Sequence, residues 1–228
     1  MSAPAPVVFL VDVDNTLLDN DRVQADLRQR LELDFGAASR DRYWAILEQL
    51  FLELGYRDYL GALQRYRVEH PRDVHLLEMS SYLVDYPFAN RLYPGALDAL
   101  ANLARFGRTV VLSDGDVVFQ PRKVERSGIA EAVDGRVLIY IHKEEALDDV
   151  EQRFPARHYV LVDDKLRILT AVKKAWGPRV TTVFVRQGFY AKDPATLAAS
   201  PPADRSVARI GELADCALSD LIPPEVKP

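Results

Sequence analysis

The chain has 228 residues, a formal net charge of −5 and a hydrophobic fraction of 48%. That length holds one large domain or a core domain with a smaller one, and the acidic balance argues against a nucleic-acid polymer or an anionic membrane as main partner. The single cysteine, Cys216, excludes an internal disulfide and a cysteine-built metal cluster.

The first residues, Met-Ser-Ala-Pro-Ala-Pro, carry neither the basic region nor the apolar helix of a signal, and no run is long enough to span a bilayer. The expectation is a soluble cytoplasmic protein. Residues 7–11, Val-Val-Phe-Leu-Val, are all apolar and mostly β-branched, the pattern of a strand buried on both faces in the middle of a parallel sheet. Asp12 and Asp14 follow at its carboxyl end, where open α/β sheets bind ligands. Two carboxylates so close repel unless a positive charge lies between them, and Mg²⁺, which takes oxygen ligands, is the economical candidate. A competing reading makes Asp14-Asn15-Thr16 a turn that ends the strand or caps a helix.

Four helical segments come next, at about 22–33, 40–54, 56–69 and 74–84, punctuated by Gly36, Gly55 and Pro71. They predict a small helical bundle inserted after the first strand. From Pro94 helices and strands alternate: helix to 106, strand 109–112, helix 121–126, strand 137–141, helix 144–153, strand 159–162, helix 166–176 and strand 181–185. Such alternation means a doubly wound parallel sheet with helices on both faces, all strand carboxyl ends at one rim. Residues 194–202 read as loop, 206–209 as an edge strand and 211–218 as a last helix, in which Cys216 is a small buried hydrophobe. Pro223-Pro224 and the end read as frayed. The fold class is α/β, with a core of residues 1–19 and 93–228 and a helical cap of residues 20–92.

Further polar groups end the later strands. Ser113-Asp114-Gly115-Asp116 follows one, where a hydroxyl can donate to a phosphate oxygen and Gly115 lets backbone N–H groups approach an anion. Asp163-Asp164 follows another; adjacent carboxylates after a buried strand need a cation or N–H groups to accept them, and one of the pair can cap the next helix. Lys143 lies between, where an ammonium among acids balances charge on a nucleophile and a transferring phosphoryl group. An exposed surface lysine is the plainer reading.

Asp12-Val13-Asp14-Asn15-Thr16-Leu17 resembles the first motif of the haloacid dehalogenase superfamily, mostly phosphatases. Ser113, Lys143 and Asp163-Asp164 match its second, third and fourth motifs, in family order. The likeness covers about residues 6–176, and the inserted helices match only in position and type the helical caps of one branch. It implies a Mg²⁺-dependent phosphatase of a small phosphorylated metabolite. Asp12 is then the nucleophile that forms an aspartyl-phosphate, and Asp14 the acid and base. Ser113, Asp114 and Lys143 bind phosphate; Asp12, Asp14, Asp163 and Asp164 hold the metal. Halide-displacing members lack an acid at the position of Asp14. One departure is that Glu144 and Glu145 follow Lys143 where many relatives have proline, so Lys123 is a rival for its role. His142 is a neighbour without a role. Alternatives with the same residues are a phosphotransferase or mutase, and a non-catalytic phospho-binding regulator. Candidate substrate selectors are Asn20, Arg22, Tyr43, Trp44, Tyr56, Arg57 and Tyr59, with Arg186 to Tyr190 at the same rim.

Overall fold

The structure, a computed structural model, describes residues 4–223. β1 (Ala5–Val11) lies inside a six-stranded sheet, and Val7 to Val11 are closed to solvent. Alternate side chains leave a strand on opposite faces. Val7, Phe9 and Val11 join one apolar cluster, Val8 and Leu10 the other, which is why this run is apolar without alternation.

Four helices follow: α1 (Asn20–Phe35), α2 (Ala37–Leu54), α3 (Tyr59–Glu69) and α4 (Leu76–Asp85). They pack through Val23, Leu27, Tyr43, Leu47, Leu63 and Met79. α3 starts at Tyr59 rather than 56 because the Asp58 carboxylate accepts the Gly61 N–H at 2.7 Å and caps the helix. Two crossing segments join these helices to the sheet. Asp19 N–H donates to Arg91 O at 2.8 Å and Tyr93 N–H to Leu17 O at 2.9 Å, so the outgoing and returning chains run side by side.

The remaining elements are α5 (Ala96–Ala104), β2 (Arg108–Asp114), α6 (Phe119–Arg126), α7 (Ile129–Ala132), β3 (Val137–Tyr140), α8 (Leu147–Arg153), β4 (Ala156–Asp163), α9 (Leu166–Trp176), β5 (Val180–Val185), α10 (Pro194–Ala198) and β6 (Arg205–Val207). The strand order is β3-β2-β1-β4-β5-β6, every pair parallel. Helices α5, α6 and α7 pack on one face through Leu100, Leu103, Phe119, Val124 and Ile129; α8 and α9 pack on the other through Val150, Ile168, Leu169 and Val172. This is the doubly wound parallel sheet that the alternation predicts.

The tail differs from expectation. Residues 194–202 contain α10, capped by Asp193, and the expected last helix at 211–218 is two 3₁₀ turns, Ile210–Ala214 and Leu218–Asp220. Asn102 Nδ2 on α5 donates to Leu213 O at 2.9 Å and Cys216 O at 3.0 Å, drawing to itself the carbonyls an α-helix would use. Cys216 is half-buried rather than fully buried, and its Sγ donates to Leu213 O. Of the frayed end expected from Pro223, Pro223 itself is half-buried, and the residues from Pro224 onward lie outside the described residues. No helix among the described residues is long and apolar enough to cross a membrane.

Candidate active site

Because every strand is parallel, β1, β2 and β4 end at one rim, and Val11 stands in register with Val111 and Val162. Asp12, Ser113 and Asp163 therefore emerge as neighbours. Asp12, Asp163 and Asp164 are all buried, and each offers an oxygen within 4.8 Å of the others. Burial pushes the Asp163 carboxyl up to about 6 and also raises that of Asp164.

Lys143 opens a 3₁₀ turn just beyond β3 and is fully buried. Its Nζ lies 2.5 Å from Asp12 Oδ1 and 2.6 Å from Asp163 Oδ2, and donates to Leu112 O at 3.2 Å. Burial alone would weaken its hold on the proton; Asp12, Asp163 and Asp114 reverse this and raise its pKa above the ordinary lysine value. Two contacts hold the turn without the proline of many relatives. Asp114 Oδ1 accepts the Lys143 N–H at 2.8 Å, and Glu144 Oε1 binds Arg167 at 2.7 Å. The Asp114 carboxylate thus secures the lysine's backbone, and burial raises its pKa.

The rival, Lys123, sits elsewhere. Also buried, it projects from α6 and places Nζ 2.6 Å from Asp14 Oδ1 and 3.0 Å from Asn20 Oδ1. It holds Asp14 and the first residue of α1, while Lys143 holds Asp12 and Asp163. Of the stretch Asp14-Asn15-Thr16 read as a possible cap, Asn15 does part of that work, its Oδ1 accepting the Asn20 and Asp21 N–H groups at 3.0 and 3.2 Å, while the N-cap of α1 is Asp19, which accepts the Arg22 N–H at 2.9 Å. Asn15 adopts φ 60° in the turn, and Gly188 presses on it so closely that a Cβ at 188 would lie 2.4 Å from Asn15 Cβ.

Ser113 Oγ accepts a hydrogen bond from Gln120 Nε2 at 2.9 Å. At Gly115, expected to let backbone N–H groups approach an anion, the N–H donates to Tyr140 O at 2.9 Å, and the glycine is needed because a Cβ there would lie 2.5 Å from Gln120 Cβ. Gln120 gives no signal in the sequence. Lys165 was legible only as a cation after an acid pair; its N–H donates to Asp163 Oδ1 at 2.8 Å, and its ammonium stands 5.5 Å from the Tyr190 ring.

These residues would suit a hard divalent cation. Asp12 Oδ2 and both Asp164 oxygens are buried without a hydrogen-bond partner, and buried carboxylate oxygens left bare are costly unless a cation takes them.

A cavity of about 820 Å³ opens from Asp14 and Asp114 toward the inserted helices. Of the expected selectors, Asn20, Tyr56, Arg57 and Tyr59 line it. Arg22 points to solvent and pairs with Asp26, and Tyr43 and Trp44 are buried among the helices, Tyr43 Oη donating to Tyr59 O at 2.8 Å. Phe189 and Tyr190 line the cavity, whereas Arg186 Nε donates to Ser206 and Gln187 Nε2 to Thr16 O. Gln24, Arg28 and Phe51 line it without having been anticipated. His142 packs its ring against Gly55, joining the turn of Lys143 to the end of α2.

A family model for hydrolases of the haloacid dehalogenase-like type matches residues 7–175. The chain belongs to that family. A candidate haloacid dehalogenase-like hydrolase from Burkholderia xenovorans LB400 is 64% identical, with a TM-score of 0.89 over 94% of this chain and 100% of that one. More distant solved structures share the fold. An L-2-haloacid dehalogenase from Xanthobacter autotrophicus has 19% identity, TM-score 0.60, and coverage of 91% of this chain and 96% of that one. A magnesium-bound family hydrolase from Bacillus subtilis has 16% identity, TM-score 0.60, and coverage of 90% and 96%. Comparison with curated proteins gives no match.

Proposed function

We propose that this hydrolase is a Mg²⁺-dependent phosphatase of a small phosphorylated metabolite. The observation that carries the reading is the buried trio of Asp12, Asp163 and Asp164, with Asp12 Oδ2 and both Asp164 oxygens bare, beside an acid two residues on at Asp14. Asp12, Asp163 and Asp164, with the main-chain carbonyl of Asp14, would hold the metal. When bound, it supplies positive charge against the phosphoryl oxygens and the crowded carboxylates.

The chain's own groups do the rest. A carboxylate oxygen of Asp12 attacks phosphorus, and the bond from phosphorus to the ester oxygen breaks. Asp14 gives its proton to the departing alcohol. It then takes one from the water that attacks phosphorus and frees Asp12. Lys123, itself oriented by Asn20 Oδ1, fixes Asp14 through one oxygen, which sets the direction of the other. Lys143 and Ser113 bind equatorial phosphoryl oxygens; Gln120 donates to Ser113 Oγ, and the serine hydroxyl, which donates to Asp114 O at 3.3 Å, turns to the phosphoryl oxygen. The inserted helices act as a cap that excludes water.

The dehalogenases among the fold neighbours make halide displacement the competing reading. Asp14 weighs against it, because halide leaves without a proton. Phosphate release from a panel of phosphate esters, assayed beside chloride release from 2-chloropropionate, separates the two. We expect phosphate release only, abolished by chelation or by Asp12→Asn, and lowered roughly 10²–10⁴-fold by Asp14→Asn. Chloride release, or phosphate release undiminished in Asp12→Asn, overturns the assignment. Release that requires an added hydroxyl acceptor makes the protein a phosphotransferase.

A further inference from the structure

The cavity lining includes a cation the proposed reaction does not use, about two turns along α1 from Asn20. Arg28 lines it from α1. Its guanidinium carbon lies over Trp44, 3.8 Å from the ring centroid, and Trp44 is itself buried among the helices. Stacking of this kind fixes the plane of a guanidinium and leaves its edge N–H groups free. Among the described residues no acid pairs with Arg28.

Its neighbours differ in that respect. Arg40 pairs with Glu32 and Asp41, and Arg57 with Glu48 at 2.5 Å. Burial and then the charge of Arg40 push Arg28 below its ordinary pKa; Glu48 opposes this, Arg57 adds to it, and Asp41 opposes it weakly. Arg28 is thus a solvent-accessible guanidinium, held against an indole and without an acid partner, that can meet an anion entering the cavity. Tyr56, Phe189 and Tyr190 line the same cavity, suited to a flat or apolar part of a ligand.

We propose that Arg28 is the anchor of a second anion subsite, so that the substrate is a phosphate ester carrying a carboxylate or second phosphate at the end remote from the scissile bond. This deepens the phosphatase reading and rests on it.

Three matched probes test it: phenyl phosphate, 4-carboxyphenyl phosphate and 1,4-phenylene bisphosphate. We expect wild-type kcat/KM to favour the two tailed compounds over phenyl phosphate by about ten-fold to a hundred-fold, the range of a hydrogen-bonded charge pair. In Arg28→Gln that ratio falls toward one, mainly through KM, and Arg28→Lys restores part of it. The better of the two tails names the second group. Hydrolysis of phenyl phosphate with no tail preference, or a preference intact in Arg28→Gln, overturns the subsite and leaves the phosphatase reading standing. If none of the three is hydrolysed, the panel of phosphate esters decides the phosphatase reading. Calorimetric titration of Asp12→Asn, with and without Arg28→Gln, then decides the subsite: tail-dependent binding lost with Arg28 upholds it, and equal binding of all three probes refutes it.

Discussion

Lys143 lies between Asp12 and Asp163, where no water can screen the three charges. Replacing it with methionine keeps most of the volume and leaves two buried carboxylates facing one another. Breaking a buried ion pair from one side costs about 3–5 kcal/mol, so Lys143→Met should unfold at correspondingly lower denaturant. Mg²⁺ should return part of that loss, since a cation held by the same acids stabilises only the folded chain. Denaturation with and without Mg²⁺ checks this, and a variant as stable as the wild type, indifferent to the metal, would contradict it. The acids and Lys143 were legible because each follows an apolar run, and parallel strands deliver such positions to one rim. The choice between Lys143 and Lys123 was not legible, because spacing along the chain does not give the direction of a long side chain. Both lysines are buried and both meet an aspartate, each a different one.

At the scale of elements, the strands were the clearest signals, and the tail was the weakest. A run buried on both faces shows in composition alone, as β1 does. The carbonyls around Leu213 and Cys216 turn instead to Asn102, more than a hundred residues away, a tertiary choice that local pattern does not record. β4 carries a further consequence in His158, which is buried and shares a hydrogen bond with Thr181 Oγ1 at 2.9 Å. Burial, then the charge of Lys173, pushes its pKa below the ordinary value against the opposing pull of Asp204. The unfolded chain therefore takes up this proton at higher pH than the folded one. The stability that neutral His158 lends is complete above the unfolded pKa of about 6.5 and declines as pH falls toward the folded value. The melting temperature should drop as pH is lowered from 7 to 5, and less steeply in His158→Gln. Identical slopes for the two proteins would remove His158 from the account.

On the scale of the whole molecule, the inserted helices and the sheet rim close one cavity between them, and the two ends of that cavity differ in how far they could be foreseen. The rim end follows from strand order. The far end does not, because an aromatic residue at helical spacing serves a core as readily as a cavity wall. Trp44 became a buried support and Tyr56 a lining residue for reasons that only the packing of α1 against α2 supplies. The claim on which the rest depends is that Asp12 carries the phosphoryl group in transit. Acid quenching of the enzyme during turnover of a hydrolysed ester, followed by peptide mass spectrometry, reads this directly. The account predicts a phosphoryl group on the peptide containing Asp12, present with Mg²⁺ and absent from Asp12→Asn. Phosphate release with that peptide never modified, or with the group on another residue, would contradict it.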